Sequence, residues 1–328
     1  MHAASLDMVH PELREAAAAK LYYNATRKPI EQTIAQSRQA TLRLDPKALF
    51  DPGVTVASVP VGHGQPEVLV AVINQQPASN QQNSGPRPAI LHTHGGGYVM
   101  GSARSSLYPL LSLAKQLDCL IVSVEYRLAP ETTYAGSIED NYAALRWLHT
   151  NAAVMGVDPA RIAVMGESAG GGHATLLAIT ARDRGEVPVA FQCLVYPMLD
   201  DRTGSSRKIP PFMGAFGWSA ADNRFGWKSF LGTEPGRSNA PRGAVPARVA
   251  SIKGLPPAFI GVGSIDLFVD EDVAFAQRLI DAGVATELVV VPGAFHGFDN
   301  AGAAKPVGRN FNATKLAALR RGLGIAAV

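Results

Sequence analysis

Ser168 lies in the run RIAVMGESAGGG, where Gly166, Ser168 and Gly170 make the pattern G-x-S-x-G. A serine hydroxyl is a poor nucleophile at neutral pH until a neighbouring base takes its proton. The flanking residues say how such a serine would be presented. RIAVMG reads as a strand and AGGGHATLLAITARDRG as a helix, so Ser168 falls on a sharp strand-to-helix turn. That turn tolerates only small neighbours, and Gly166 and Gly170 meet the requirement. It also sets the hydroxyl near the positive end of the following helix.

Eight histidines are available as the base. His2 and His10 belong to the N-terminal segment, His63 to a polar turn and His149 to the end of a helix. His92 falls inside a strand, as a core histidine with its hydrogen bonds met. His173 follows Ser168 by five positions on the same helix and faces another way. His94 adjoins Gly95, Gly96 and Gly97 and reads as an anchor for that loop. His296, in VVVPGAFHGFDN, sits in a glycine-flanked loop directly after the last strong strand, at the sheet edge where α/β sites form. It is the expected general base.

A base histidine needs a carboxylate to fix its tautomer and stabilise the imidazolium. In PAFIGVGSIDLFVDED, Asp266 directly follows a strand and a Gly-Ser turn and leads the candidates. Asp270 is its serious rival. Asp270, Glu271 and Asp272 open a helix, where acidic residues usually serve as caps or dipole partners. Asp299, three residues beyond His296, is the weaker orienter.

Attack on a carbonyl by Ser168 would create a tetrahedral oxyanion, which preorganised N–H donors stabilise. The stretch HTHGGGYVMG, residues 92–101, offers such donors. Three glycines in a row forfeit packing and add unfolded-state entropy unless the backbone itself has work there. Gly96 and Gly97 would supply two amides and Ala169, directly after the nucleophile, a third.

These residues require a scaffold that brings distant loops to one edge. Strand-like runs VTVASVPV, EVLVAVI, AILHTH, CLIVSVEY, RIAVMG, VAFQCLVYP, PAFIGVG and ATELVVVP alternate, for most of the length, with helical patterns. The alternation predicts a mainly parallel sheet with right-handed crossovers. The later runs are nearly continuous in Val, Ile and Leu, as expected of strands covered on both faces. A polar loop, NQQPASNQQNSGPRP, separates the second run from the third. Two stretches stand outside the alternation: the helical N-terminal segment, 1–50, and 201–245. Between Phe212 and Phe230 the second carries Phe212, Phe216, Trp218, Phe225, Trp227 and Phe230, six aromatics in nineteen residues of a chain that is 7% aromatic. A surface loop has no use for them, so they must pack on something, a neighbouring helix or a ligand. The two stretches together read as a helical cap over a catalytic core made of 51–200 and 246–328.

Composition narrows the function. The chain has 328 residues, 47% hydrophobic and 17% charged, with a formal net charge of +3 and scattered Lys and Arg. That balance argues against a dedicated nucleic-acid face, and no apolar stretch approaches a membrane span. Asp7, Glu12, Arg14 and Glu15 interrupt the N-terminus, leaving no signal-peptide core. Cys119 and Cys193 lie in strand-like runs as buried free thiols. A cytoplasmic protein is expected. No Cys/His cluster implies a metal, and no dinucleotide fingerprint follows a strand.

HGGG, EYRLAPE, DPARIAVMGESAGG, Tyr196-Pro197, IDLFVDE and FHGF together resemble the hormone-sensitive lipase-like branch of the α/β-hydrolases, in its bacterial carboxylesterase form. The resemblance runs from about residue 55 to the C-terminus. It implies an α/β-hydrolase fold, a Ser168–Asp266–His296 triad, an oxyanion hole from Gly96, Gly97 and Ala169, and a helical cap. It implies no cofactor, a preference for short acyl chains, and a homodimer formed by edge strands. Glu167 stands where the family often has Asp or Thr, and Leu267-Phe268 where many relatives carry Pro-Leu. Arg127 in EYRLAPE is expected to pair internally with Glu125 or Glu131. Tyr126 and Tyr196 either border the cavity or pack in the core. The expected activity is hydrolysis of small carboxylic esters. The rival reading is a non-catalytic small-molecule receptor on the same fold.

Overall fold

The computed structural model describes residues 5–41, 43–45, 53–62, 64–76 and 85–326. His2, His63 and most of the polar loop after the second strand lie outside them. Eight strands form one sheet: β1 (Val54–Val59), β2 (Val68–Ile73), β3 (Arg87–Thr93), β4 (Leu120–Val124), β5 (Val157–Glu167), β6 (Phe191–Val195), β7 (Ala258–Gly263) and β8 (Thr286–Val291). Their spatial order is β1-β2-β4-β3-β5-β6-β7-β8. The hairpin β1–β2 and the pair β2–β4 are antiparallel; every pair from β4–β3 to β7–β8 is parallel.

Alternate residues of the strands feed two cores. On one face Leu91, Val122, Val164 and Leu194 pack with helices α4 (Tyr134–Thr150), α5 (Ala169–Arg184) and α7 (Val269–Asp281). On the other, Ile90, Ile121, Met165 and Cys193 pack with α3 (Leu107–Leu117) and α9 (Pro306–Gly322). Strands buried on both faces need apolar residues at both parities, which is why β3, β4 and β6 are buried from end to end. The last run, ATELVVVP, departs from that expectation. β8 is only half-buried and Val290 is 39% exposed, because β8 is an edge of the sheet with β7 as its single neighbour.

Helix α3 supplies the crossover between the parallel strands β3 and β4. Leu110, Ala114 and Leu117 recur on its buried face. Pro109 sits in the first turn, where a missing N–H costs no helix hydrogen bond.

The two stretches outside the alternation meet each other. Helices α1 (Arg14–Thr26) and α2 (Ile30–Ala40) come from the N-terminal segment, and α6 (Ala220–Leu231) from 201–245. Asn24 Nδ2 donates to the carbonyls of Ala215 and Gly217 at 3.0 and 2.9 Å, and Arg27 pairs with Asp222. Ile30, Trp227, Phe230 and Leu231 share a third apolar cluster with Tyr98, Ala169, Met198 and Phe268, residues of the loops at the strand ends.

Candidate active site

Each predicted site residue lies just past the C-terminal end of a strand. Ser168 follows β5 with φ 57° and ψ −123°, a left-handed, strained conformation for a residue with a β-carbon. Its neighbours hold it there. Ser168 N–H donates to the Val195 carbonyl and Met198 N–H to the Ser168 carbonyl, each at 2.9 Å. A β-carbon on Gly166 would strike the backbone of Gly170, and one on Gly170 the backbone of Thr93 and His94. The glycines of G-x-S-x-G are therefore required by close backbone packing. Thr93 Oγ1 closes the turn by donating to the Gly170 carbonyl at 2.7 Å.

His296 follows β8, with Nε2 3.0 Å from Ser168 Oγ and Nδ1 2.9 and 3.2 Å from the two oxygens of Asp266. A carboxylate only accepts, so Nδ1 carries the proton and Nε2 presents its lone pair to the serine hydroxyl. Asp266 is completely buried and also accepts from Phe268 N–H at 3.0 Å. The rings of Tyr196 and Phe268 stand edge-on to the imidazole, with centroids 4.6 and 5.2 Å away. The structure thus brings Ser168, His296 and Asp266 into one chain of contacts.

The competing candidates go elsewhere. Asp270 is exposed on α7. Asp299 accepts from Tyr196 Oη at 2.7 Å, one residue removed from the imidazole. His92 lies between Ser123 Oγ at 2.9 Å and Glu167 at 3.0 Å. Burial alone would push the Glu167 carboxyl up, but the charge and hydrogen bond of His92, with the charge of Lys315, bring it below its ordinary range. His173 is enclosed by Tyr98, Tyr126 and Phe230, and burial lowers it to about 3. His94 donates from Nδ1 to the Gly95 carbonyl at 2.8 Å and stacks on Tyr126 at 4.1 Å. Burial lowers it as well, to about 3, so it anchors the loop as a neutral ring.

Beside the serine, Gly96 and Gly97 have φ of 125° and 59°. The Gly96 carbonyl is taken up by Val99 and Met100 N–H at 3.1 and 3.0 Å, which turns the loop back on itself. A β-carbon on Gly95 would lie 3.5 Å from Ser168 Cβ, so this loop borders the nucleophile directly. Ala169 is completely buried at the first position of α5.

Three expectations need correcting. Arg127 pairs with Asp140 through Nη2 at 2.7 Å, not with Glu125 or Glu131. Asp140 is completely buried on α4 and needs a fixed cation, whereas Glu125 and Glu131 are met by Arg43 and Arg38. Glu271 is no exposed helix-start acid either. It is buried and accepts from Leu199 and Asp200 N–H at 2.6 and 3.1 Å, and from Thr203 Oγ1, fastening the chain where it leaves the core for 201–245. Burial pushes its carboxyl well above the usual range. The carboxyl oxygens of Asp272, likewise buried, have no hydrogen-bond partner among the described residues.

Of the two tyrosines read as bordering the cavity or packing in the core, Tyr196 walls the histidine and is itself buried, while Trp218 as a neighbour of Gly97 was missed. A β-carbon on Gly97 would lie 2.2 and 2.3 Å from Cη2 and Cζ2 at the edge of the Trp218 ring. The cluster of aromatics in 212–230 was the one signal that pointed there.

The alpha/beta hydrolase fold family matches residues 90–300. The chain is 36% identical over 240 residues to carboxylesterase NlhH of Mycobacterium tuberculosis, covering 72% of this chain and 74% of that protein. A bacterial heroin esterase of known structure superposes with a TM-score of 0.80 at 36% identity, over 97% of this chain and 99% of the other. The gibberellin receptor GID1A of Arabidopsis thaliana is 30% identical over 64% of this chain and 62% of the receptor.

Proposed function

This chain belongs to the hormone-sensitive lipase-like branch of the α/β-hydrolase family, and on that footing we propose that it is a serine carboxylesterase for short- to medium-chain esters, acting through Ser168, His296 and Asp266. One observation carries the reading: the His296 imidazole lies 3.0 Å from the Ser168 hydroxyl and 2.9 Å from a buried carboxylate.

In the reaction Ser168 Oγ attacks the ester carbonyl carbon while His296 Nε2 takes the hydroxyl proton. Asp266 holds the ring and stabilises the imidazolium. The oxyanion is received by the amides of Gly96, Gly97 and Ala169. Collapse breaks the bond to the alcohol oxygen, which leaves with the proton from His296 Nε2. Water then attacks the acyl-enzyme, giving one proton to His296, and the acid departs as that proton returns to Ser168. Ester and water become acid and alcohol, with no external cofactor.

Residues 1–50 and 201–245 act in this reading as a cap on the core formed by 51–200 and 246–328. The direct contacts of Asn24 and Arg27 with the second stretch support it. The partner is a small-molecule ester. We place the chain in the cytoplasm, on its two free buried cysteines, and as a homodimer, on its half-exposed edge strand β8. A monomer mass at micromolar concentration would remove the dimer. Among the described residues, no helix is long and apolar enough to cross a membrane.

Turnover of p-nitrophenyl butyrate tests the activity. Ser168→Ala is expected to lower kcat/KM by about 10⁴-fold or more. Native protein no faster than the variant ends the esterase reading in favour of a non-catalytic receptor. That rival makes no use of the aligned hydroxyl, imidazole and carboxylate.

A further inference from the structure

We infer that Trp218 sets the longest acyl chain this enzyme accepts, by walling the catalytic cleft beside Gly97; the inference rests on the esterase reading above. The turn from Gly214 to Trp218 folds back on itself beside the site: a β-carbon on Gly214 would lie 2.7 Å from the Trp218 carbonyl oxygen. A β-carbon on Gly214 would lie 3.3 Å from Leu267 Cδ1, next to the triad acid. One on Gly217 would lie 3.2 Å from the His296 carbonyl oxygen and 3.3 Å from His296 Cβ. The next residue, Trp218, sets the Cζ2–Cη2 edge of its ring against Gly97. Gly214, Gly217 and Trp218 of one turn thus lie next to the neighbourhoods of the acid, the base and an oxyanion donor.

The indole is held in that place. Trp218 Nε1 donates to Asn223 Oδ1 at 3.2 Å, and the completely buried Asn223 is itself fixed by donating to the Thr203 carbonyl at 2.8 Å. Trp218 is only half-buried, so the ring packs on Gly97 while part of its surface stays open. Among the aromatics of this segment, Trp227, Phe230 and Phe216 are buried and spent on packing.

Chemistry decides which part of the substrate meets the ring. The carbonyl oxygen faces the amides and the leaving oxygen must face His296 Nε2, which returns its proton. The remaining substituent on the tetrahedral carbon is the acyl chain, which in this assignment runs past the glycine loop toward the half-buried indole. A short chain stops before the ring; a long one must displace it.

The test measures kcat/KM on p-nitrophenyl acetate, butyrate, hexanoate, octanoate and decanoate for native protein, Trp218→Ala and Trp218→Phe. Native rates are expected to fall steeply beyond medium chains. The octanoate-to-butyrate ratio should rise at least about tenfold in Trp218→Ala and about threefold in Trp218→Phe, the scale on which a pocket discriminates added methylenes. Should the alanine variant fail to fold, by its thermal transition, the phenylalanine variant alone decides. A ratio within twofold of native in the folded variants, with Ser168-dependent butyrate turnover retained, overturns the inference and leaves the esterase reading intact. A second series holds butyrate fixed and varies the alcohol from methyl to octyl; a shift confined to that series overturns the acyl assignment. Native protein without Ser168-dependent turnover removes both readings together.

Discussion

Under Ser168 and behind Asp266 the chain is fixed by its own backbone: β5, β6 and β7 run parallel, β6 and β7 buried throughout and β5 from Ile162 to Gly166, and tight turns at their ends aim the side chains. Over the same site the 14–40 and 212–231 segments are fixed by side chains. Arg27 holds Asp222, Arg38 reaches the carbonyls of Val99 and Ala129, and Phe230 stacks on Tyr98 at 4.0 Å. Sheet hydrogen bonds come as a cooperative ladder, whereas a tie of one guanidinium to one carboxylate opens locally. In the esterase reading proposed above, the catalytic groups thus stand on the ladder-held half of the molecule and the cap on the half held by side chains, which is expected to open at lower cost.

The two halves also touch at Gly97, and that contact offers the largest way to break the comparison. A β-carbon on Gly226 of α6 would lie 2.6 Å from the Gly97 carbonyl oxygen. Gly226→Ala should therefore push the oxyanion loop and lower kcat about a hundredfold, since misplacing or losing one donor has effects of that order. Alanine is the better helix former by about 0.8–1 kcal/mol, so the loss would not come from a weakened helix. Steady-state kinetics reads it. Activity within twofold of native would mean that α6 withdraws freely and does not position the loop.

The same division explains what the sequence disclosed. Ser168, Gly166 and Gly170 were legible because a strand-to-helix turn imposes residue types at fixed local spacing, and steric collisions with Gly170 and Thr93 account for them. His296 and Asp266 were legible because strand ends in an α/β sheet are predictable places. Arg127 with Asp140, Arg27 with Asp222, and Trp218 on Gly97 were not. Each joins residues that no local periodicity relates, and an arginine among several acids carries no mark of which one it will meet. Glu271 and Asp272 misled for a related reason: acids opening a helix are ordinarily solvated, and only the chain crossing at Leu199–Thr203 buries Glu271.

A smaller effect sharpens the claim that the cover opens locally. Asp222 is buried and shares its charge between Arg27 and the capping box with Ser219, whose N–H and hydroxyl lie at 3.1 and 2.6 Å. Arg27→Ala leaves those bonds in place and should cost about 1.5 kcal/mol, less than stripping a buried charge of every partner. Hydrogen exchange is the suitable readout. Protection should fall over 14–40 and 219–231 while β5 and β6 keep theirs. An equal loss in the strands would show that cover and core unfold as one unit.

The smallest predicted effect lies in the ladder-held half, which has its own defect. Asp272 is completely buried on α7, its carboxyl oxygens have no hydrogen-bond partner among the described residues, and burial, then the charges of Glu271 and Asp266, push it well above the usual range. Its neutral form is the one the fold accepts. Once pH exceeds the ordinary aspartate value of 3.8, the unfolded chain loses this proton while the folded chain keeps it. Unfolding then releases a proton, and stability at this site falls as pH rises until the folded carboxyl itself ionises. Asparagine has no proton to lose. Asp272→Asn should match native stability near pH 5 and exceed it by about 1 kcal/mol at pH 8, a Tm gain of about 1–2 °C for a chain of this size. Glu271 adds a similar slope to both proteins and cancels in the difference. Thermal melts at the two pH values decide the matter: a Tm difference that stays constant with pH would mean that Asp272 is ionised in the fold, and a carboxylate there would need a partner that the ladder-held half does not provide.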